Sequence, residues 1–255
     1  MKSFGSDIFP SAASHAGSTD DASVYTRPRM IDVSDTLLLE NRIVAIAEHD
    51  PVNERFRLLR TRIFGQKRQK EMTTIQVTGF GSGAGASVVA LNLAVSIARD
   101  TGQATLLADL NFQCPSIARM LGLSADYPGL RSCLLENHSW EELLICPGIE
   151  KLTILPAGGM LRNSTEMLGS PVMERLVLEW RRRYSGCCII LDTPGLGVCP
   201  DPMIISEYSD GIILVARAGH TRAESIRPAM NLIPAEKLLG VVLNDAAPGD
   251  GNGYW

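Results

Sequence analysis

Residues 74–99 limit the possible folds more than any other stretch. The apolar run Thr74-Ile75-Gln76-Val77 is predicted as a strand. It leads into Thr78-Gly79-Phe80-Gly81-Ser82-Gly83-Ala84-Gly85-Ala86-Ser87, and a helix is predicted from Val88 to Arg99. Strand, glycine-rich loop and helix form the layout of a phosphate-binding loop, where backbone N–H groups and the helix N-terminus cradle an anion. The position at which such a loop carries its lysine is Ala86. The site thus has the backbone donors and lacks the main cation.

The rest of the chain repeats the strand–helix alternation. Strands are predicted at Thr105–Asp109, Leu152–Leu155, Cys187–Leu191, Gly211–Ala216 and Leu239–Leu243. Helices are predicted at Val52–Phe64, Pro115–Leu121, Val172–Tyr184 and Thr221–Ile233, with helical pieces near Leu130–Leu135 and Trp140–Leu144. Continuously apolar strands such as Ile189-Ile190-Leu191 suit a parallel sheet covered on both faces. The expected fold is α/β: a doubly wound, mostly parallel sheet in three layers, like a P-loop NTPase, with ligands at the C-terminal strand ends. Residues 1–35 read as a disordered arm, 36–245 as one domain and 246–255 as a flexible tail. Asp50-Pro51 marks the start of the Val52–Phe64 helix, whose apolar stripe is Phe56, Leu59 and Ile63. Glu54, Arg57 and Arg60 lie on its polar side, where spacing alone reads as a solvated face.

The 255 residues are 45% hydrophobic with a formal charge of -4, enough for a sizeable core and without the basic excess of a nucleic-acid binder. Arg55–Lys70 and Arg181-Arg182-Arg183 are the main basic runs. Six cysteines form no Cys-x-x-Cys pair and read as reduced thiols behaving as small apolar residues. No apolar stretch reaches the roughly 20 residues of a membrane span, and the N-terminus lacks the apolar core of a signal peptide.

Three polar residues fall at predicted strand ends: Asp109, Asp192 and Asn244. Magnesium prefers carboxylate and hydroxyl oxygens, so Asp109 and Asp192 with Ser87 are candidate ligands. Asp109 can alternatively orient a hydroxyl nucleophile as a base, and Asn244 can read an adenine edge.

In this arrangement the chain resembles the bacterial tyrosine kinases of capsule and exopolysaccharide synthesis, within the wider MinD/ParA-like class. The resemblance covers about residues 50 to 245. Glu54-Arg55-Phe56-Arg57-Leu58-Leu59-Arg60 looks like the family's E-x-x-R-x-x-R helix, which implies a homo-oligomer contact through Glu54, Arg57 and Arg60. Gly81, Ser82, Gly83, Ala84, Gly85, Ala86 and Ser87 occupy the Walker A loop, and Asp109-Leu110-Asn111-Phe112-Gln113-Cys114-Pro115 the second Walker motif. Asn163-Ser164-Thr165-Glu166-Met167-Leu168 resembles the N-P-x-E-L-L segment, and Ile189-Ile190-Leu191-Asp192-Thr193-Pro194 resembles Walker B. Arg217-Ala218-Gly219-His220-Thr221 and Gly240-Val241-Val242-Leu243-Asn244 fit the closing strands. The departures are Ala86 for the Walker A lysine, Gly81 for the MinD/ParA signature lysine, Asn111 for an aspartate, no arginine pair after it, and Tyr254 alone in place of a tyrosine-rich tail.

The resemblance implies a peripheral cytoplasmic protein of exopolysaccharide or capsule biosynthesis, partnering a membrane polysaccharide co-polymerase and binding ATP or ADP with Mg2+. The departures predict weak or lost kinase activity, because phosphoryl transfer depends almost wholly on positioning and charge. Two alternatives remain. One is an active ATP-dependent tyrosine autokinase using a surrogate cation such as Arg217, Arg222 or a neighbouring subunit's arginine. The other is a ParA/MinD-like positioning ATPase.

Overall fold

Alternating side chains on the central strands set the layers. The computed structural model describes residues 28–67 and 72–247. Among the described residues, eight strands form one sheet: β1 (Arg29–Met30), β2 (Thr74–Gly79), β3 (Thr105–Asp109), β4 (Ile145–Cys146), β5 (Leu152–Leu155), β6 (Cys188–Asp192), β7 (Gly211–Arg217) and β8 (Leu238–Asn244). Their order is β1-β4-β5-β3-β6-β2-β7-β8. All neighbouring pairs are parallel except β4 with β5. The expected doubly wound, mostly parallel sheet is therefore present.

Leu107, Ile190, Ile213 and Val215 face one layer, with α1 (Asp35–Glu40), α2 (Pro51–Lys67), α3 (Ala86–Thr101) and α4 (Ile117–Met120) packed on it. Leu106, Ala108, Ile189 and Leu191 face the other, beneath α5 (Leu130–Glu136), α6 (Ser164–Leu168), α7 (Pro171–Arg183) and α8 (Asp201–Tyr208). Ile212 and Leu214 extend that second layer under α9 (Ala223–Met230). Such period-2 burial on both faces removes every central strand from water, about 1.5–3 kcal/mol for each large apolar side chain. Cys187 and Cys188 fall on opposite sides of the sheet, as adjacent strand residues must.

The N-terminal side of the domain departs from expectation. Residues 1–27 of the expected arm, and 248–255 of the tail with Tyr254, lie outside the described residues. Within 28–35, however, Arg29 and Met30 pair with Ile145 and Cys146, so the fold begins before residue 36. The apolar segment after it becomes α1, whose Ser34 side chain accepts a hydrogen bond from Leu37 N at 3.2 Å, then a 3₁₀ turn at Val44–Ile46. Buried Asn92 of α3 ties this segment down. Its amide donates to Arg42 O at 2.9 Å and its oxygen accepts from Ala45 N at 3.0 Å.

Helix α2 starts as the sequence predicts, with Asp50 accepting from Val52 N at 2.7 Å and Pro51 in the first turn. Its stripe of Phe56, Leu59 and Ile63 packs on the core. The polar side is less uniform than expected. Glu54 and Arg57 pair with each other at 2.8 Å in the open. Arg60 instead turns to α3, donating to Ser96 O at 2.9 Å. The cysteines need one correction too. Cys133, Cys146, Cys187 and Cys188 are buried, but Cys114 is exposed and does not act as a core residue.

Among the described residues, no helix is long and apolar enough to cross a membrane.

Candidate nucleotide site

The glycine-rich loop leaves β2 between β6 and β7, at the centre of the sheet. Helix α3 starts at Ala86, two residues before the expected Val88. Its N-cap is Gly85 at φ 86°, with no side chain hydrogen-bonded to the first turn. The first-turn N–H groups, carrying about half a positive charge from the helix dipole, thus have no capping side chain. Gly81, Gly85, Ala86 and Ser87 are half-buried, Ala84 is buried, and Ser82 and Gly83 are exposed.

Close approaches around the loop require glycine, most tightly at Gly85 and Gly195. A Cβ on Gly85 would overlap the Asn244 side-chain amide, and one on Gly195 would lie 2.5 Å from the Gly81 carbonyl. The loop after β6 therefore abuts the phosphate loop directly. A Cβ on Gly81 would meet nothing within 4 Å, so packing does not exclude a side chain there.

Asp109 and Asp192 end adjacent strands in register and are fully buried. Asp109 accepts from Asn111 N at 3.0 Å and Ile117 N at 3.3 Å. Burial nevertheless raises its pKa to about 6, against the lowering effects of those N–H groups and of Arg119. Asp192 is pushed well above the ordinary carboxylate range, first by burial and then by the charge of Asp109. The nearby Ser87 hydroxyl eases this, yet neither carboxylate oxygen of Asp192 completes a hydrogen bond. Two buried acids with one orphaned carboxylate make a strong case for a divalent cation, which would neutralise both and use the free oxygens. Asp192 and Ser87 fit as the direct ligands. Asp109, already oriented by backbone N–H groups, fits as the supporting charge. The glycine loop fits phosphate, with the lysine position empty of charge.

Asn244 lies beside the loop, where its Nδ2 donates to Ala84 O at 3.0 Å. That bond occupies part of the amide expected to read adenine and makes Asn244 a brace for the loop as well. The structure thus brings 81–87, Asp109, Asp192 and Asn244 to one edge of the sheet. Glu54, Arg57 and Arg60 sit on α2 and do not belong to this cluster.

Sequence reading missed two charged groupings. Asp245 pairs with Arg217 Nε at 2.7 Å and Arg42 Nη1 at 3.0 Å, and Arg217 Nη1 comes to 3.5 Å from Gly83 O. Buried Asp201 accepts from Ser164 Oγ and Thr165 Oγ1, both at 2.7 Å, and Ser164 in turn accepts from Gln113 at 3.2 Å. The signal for Asp201 was Pro200-Asp201-Pro202, a helix start. Nothing in the sequence placed Arg42 near residue 245.

No protein-family model matches the chain. Among curated proteins, it is 30% identical over 209 residues to the tyrosine-protein kinase YwqD of Bacillus subtilis, covering 81% of this chain and 86% of that one. The chain belongs to the bacterial tyrosine-protein kinase family. It is also 29% identical over 219 residues to the succinoglycan biosynthesis transport protein ExoP of Rhizobium meliloti, covering 83% of this chain but 27% of ExoP. Among solved structures, the chimerical protein CapA2B2 matches with a TM-score of 0.75 and 28% identity, over 87% of this chain and 95% of that one.

Proposed function

We propose that this chain is a nucleotide-binding, tyrosine-kinase-like protein of exopolysaccharide or capsule biosynthesis in which phosphoryl transfer is weak or lost. The observation that carries this reading is the juxtaposition of an intact cradle with a missing charge. Asp192 keeps two unpartnered buried oxygens beside Ser87, while the lysine position is Ala86. With Mg2+, a bound nucleoside triphosphate would supply the transferable phosphoryl group. The loop N–H groups would hold its phosphates, Ser87 and Asp192 its metal, and Asn244 would fix the loop against the base side. Removing one preorganised donor from a transition state costs roughly 10²–10³ in rate, and here the missing donor is a full charge.

The likeness to ExoP, a protein named for succinoglycan biosynthesis transport, supports an exopolysaccharide setting. In that setting the protein works at the inner face of the membrane through a polysaccharide co-polymerase, as an oligomer joined by the exposed Glu54–Arg57 edge of α2. The intact acid pair favours one second reading, an active autokinase with a surrogate cation. Phosphotyrosine formation and phosphate release from ATP·Mg, measured on wild type and Ala86→Lys, separate the two. The reading predicts little turnover by wild type and a gain of roughly 10²–10³ on restoring the lysine. Brisk wild-type autophosphorylation, unchanged by Ala86→Lys, would establish the autokinase instead.

A further inference from the structure

We propose that Arg217, held by Asp245, supplies to the phosphates of a bound nucleotide the positive charge that the glycine-rich loop lacks. This rests on the nucleotide-binding reading above. Arg217 ends β7, which pairs directly with the strand that feeds the loop, Val215 opposite Gly79. Its backbone is pinned there, since Arg217 N donates to Thr221 Oγ1 at 2.8 Å and Ala218 N donates to Asn244 O at 2.9 Å. The guanidinium is then aimed at the loop. Nε donates to Asp245 at 2.7 Å, and Nη1 stands 3.5 Å from Gly83 O. The second distance is too long to anchor the group, so the ion pair sets its place.

The charge count matches the deficit. Asp245 also pairs with Arg42, so two guanidinium groups meet one carboxylate, leaving one net positive charge beside the loop. A lysine at Ala86 would contribute the same. Arg42 and Asp245 adopt left-handed backbone conformations, φ 63° and 55°, which side-chain-bearing residues seldom hold unless their surroundings enforce them. That the site takes a ligand at all is supported independently by the unpartnered, fully buried oxygens of Asp192.

Other nearby cations suit the role less well. Arg119 acts on Asp109 and donates to Pro115 O at 3.2 Å, which places it on the acid side of the site. Arg222 stands at the start of α9 with its side chain exposed. Arg217 meets the loop at the carbonyl of Gly83, whereas a phosphate-loop lysine rises from the first turn of the helix toward the terminal phosphates. A charge so placed strengthens phosphate binding without following the phosphoryl group through transfer, which agrees with retained binding and weak chemistry.

Calorimetric titration with ADP·Mg and with adenosine tests this. Arg217→Gln is expected to weaken ADP·Mg binding roughly tenfold, to reduce its salt dependence, and to leave adenosine binding unchanged. Arg227→Gln, an equal charge loss on the exposed part of α9, is expected to change neither. Ala86→Lys added to Arg217→Gln should restore ADP·Mg affinity. Arg217→Lys, which keeps the charge if the glutamine variant folds poorly, should retain most of the binding. Unchanged ADP·Mg affinity in folded Arg217→Gln, or equal losses for ADP·Mg and adenosine, overturns this inference and leaves the nucleotide reading standing. Failure of wild type to bind ADP·Mg overturns both.

Discussion

Asp192 is the residue where structure and chemistry are most at odds. Its oxygens are buried without partners, beside a second buried acid. Replacing it by asparagine keeps an oxygen that can accept from Ser87 and removes the acid whose ionised form burial and Asp109 disfavour. Asp192→Asn should therefore stabilise the ligand-free protein at pH 8 by about 1–3 kcal/mol, a rise of roughly 2–4 °C in Tm per kcal/mol for a domain of this size. The same variant should lose the Tm increase that ADP·Mg gives wild type; melting curves with and without ligand check both. Asp109 gives the pH dependence. Its folded pKa of about 6 lies above the unfolded 3.8, so its contribution to stability is full below pH 3.8 and is lost as pH rises through about 6. Denaturant titrations of the ligand-free protein should show stability falling across that window, with the fall reduced when Mg2+ and ADP are present. Neither effect was legible in the sequence. Asp109 and Asp192 could be placed at strand ends, but their mutual burial depends on the β3–β6 register, which is a tertiary fact.

At the scale of elements, the strongly patterned segments were readable and the short ones were not. The strand at Thr105–Asp109 and the one at Leu152–Leu155 have the predicted bounds, because long apolar runs between polar ends leave little choice. β1 and β4 are two residues each and exist only through pairing with neighbours. α9 stops at Met230, short of the expected Ile233, and carries Pro228 inside it, which removes one backbone donor from its last turn. The triplet Glu54, Arg57 and Arg60 shows how spacing can group residues that packing separates. Arg60→Ala should cost about 1–2 kcal/mol of monomer stability through its lost bonds to Ser96. Glu54→Ala should cost under about 0.5 kcal/mol, since it breaks only an exposed pair. If α2 joins subunits, light scattering after gel filtration should show a smaller assembly for Glu54→Ala with unchanged melting. An unchanged mass would remove Glu54 from the interface. Gly85→Ala forces a left-handed alanine against Asn244 and should cost about 1–3 kcal/mol while loosening the loop, seen as a lower Tm.

For the whole molecule, the sheet order places the loop, the acid pair and the Asn244 brace at one edge, where a doubly wound fold binds its ligands. The likeness to the family extends over four-fifths of the chain. Gly81 has space for a side chain, and Ala86 is only half-buried, so neither change was forced by the fold. A protein altered in this way is expected to hold a nucleotide better than it transfers a phosphoryl group. Isothermal titration of ADP·Mg into wild type and Asp192→Ala tests that most directly. The account predicts one saturable site on wild type with a Kd on the order of 0.1 mM or below, lost in Asp192→Ala. The absence of saturable binding to wild type, or equal binding by the variant, would contradict it.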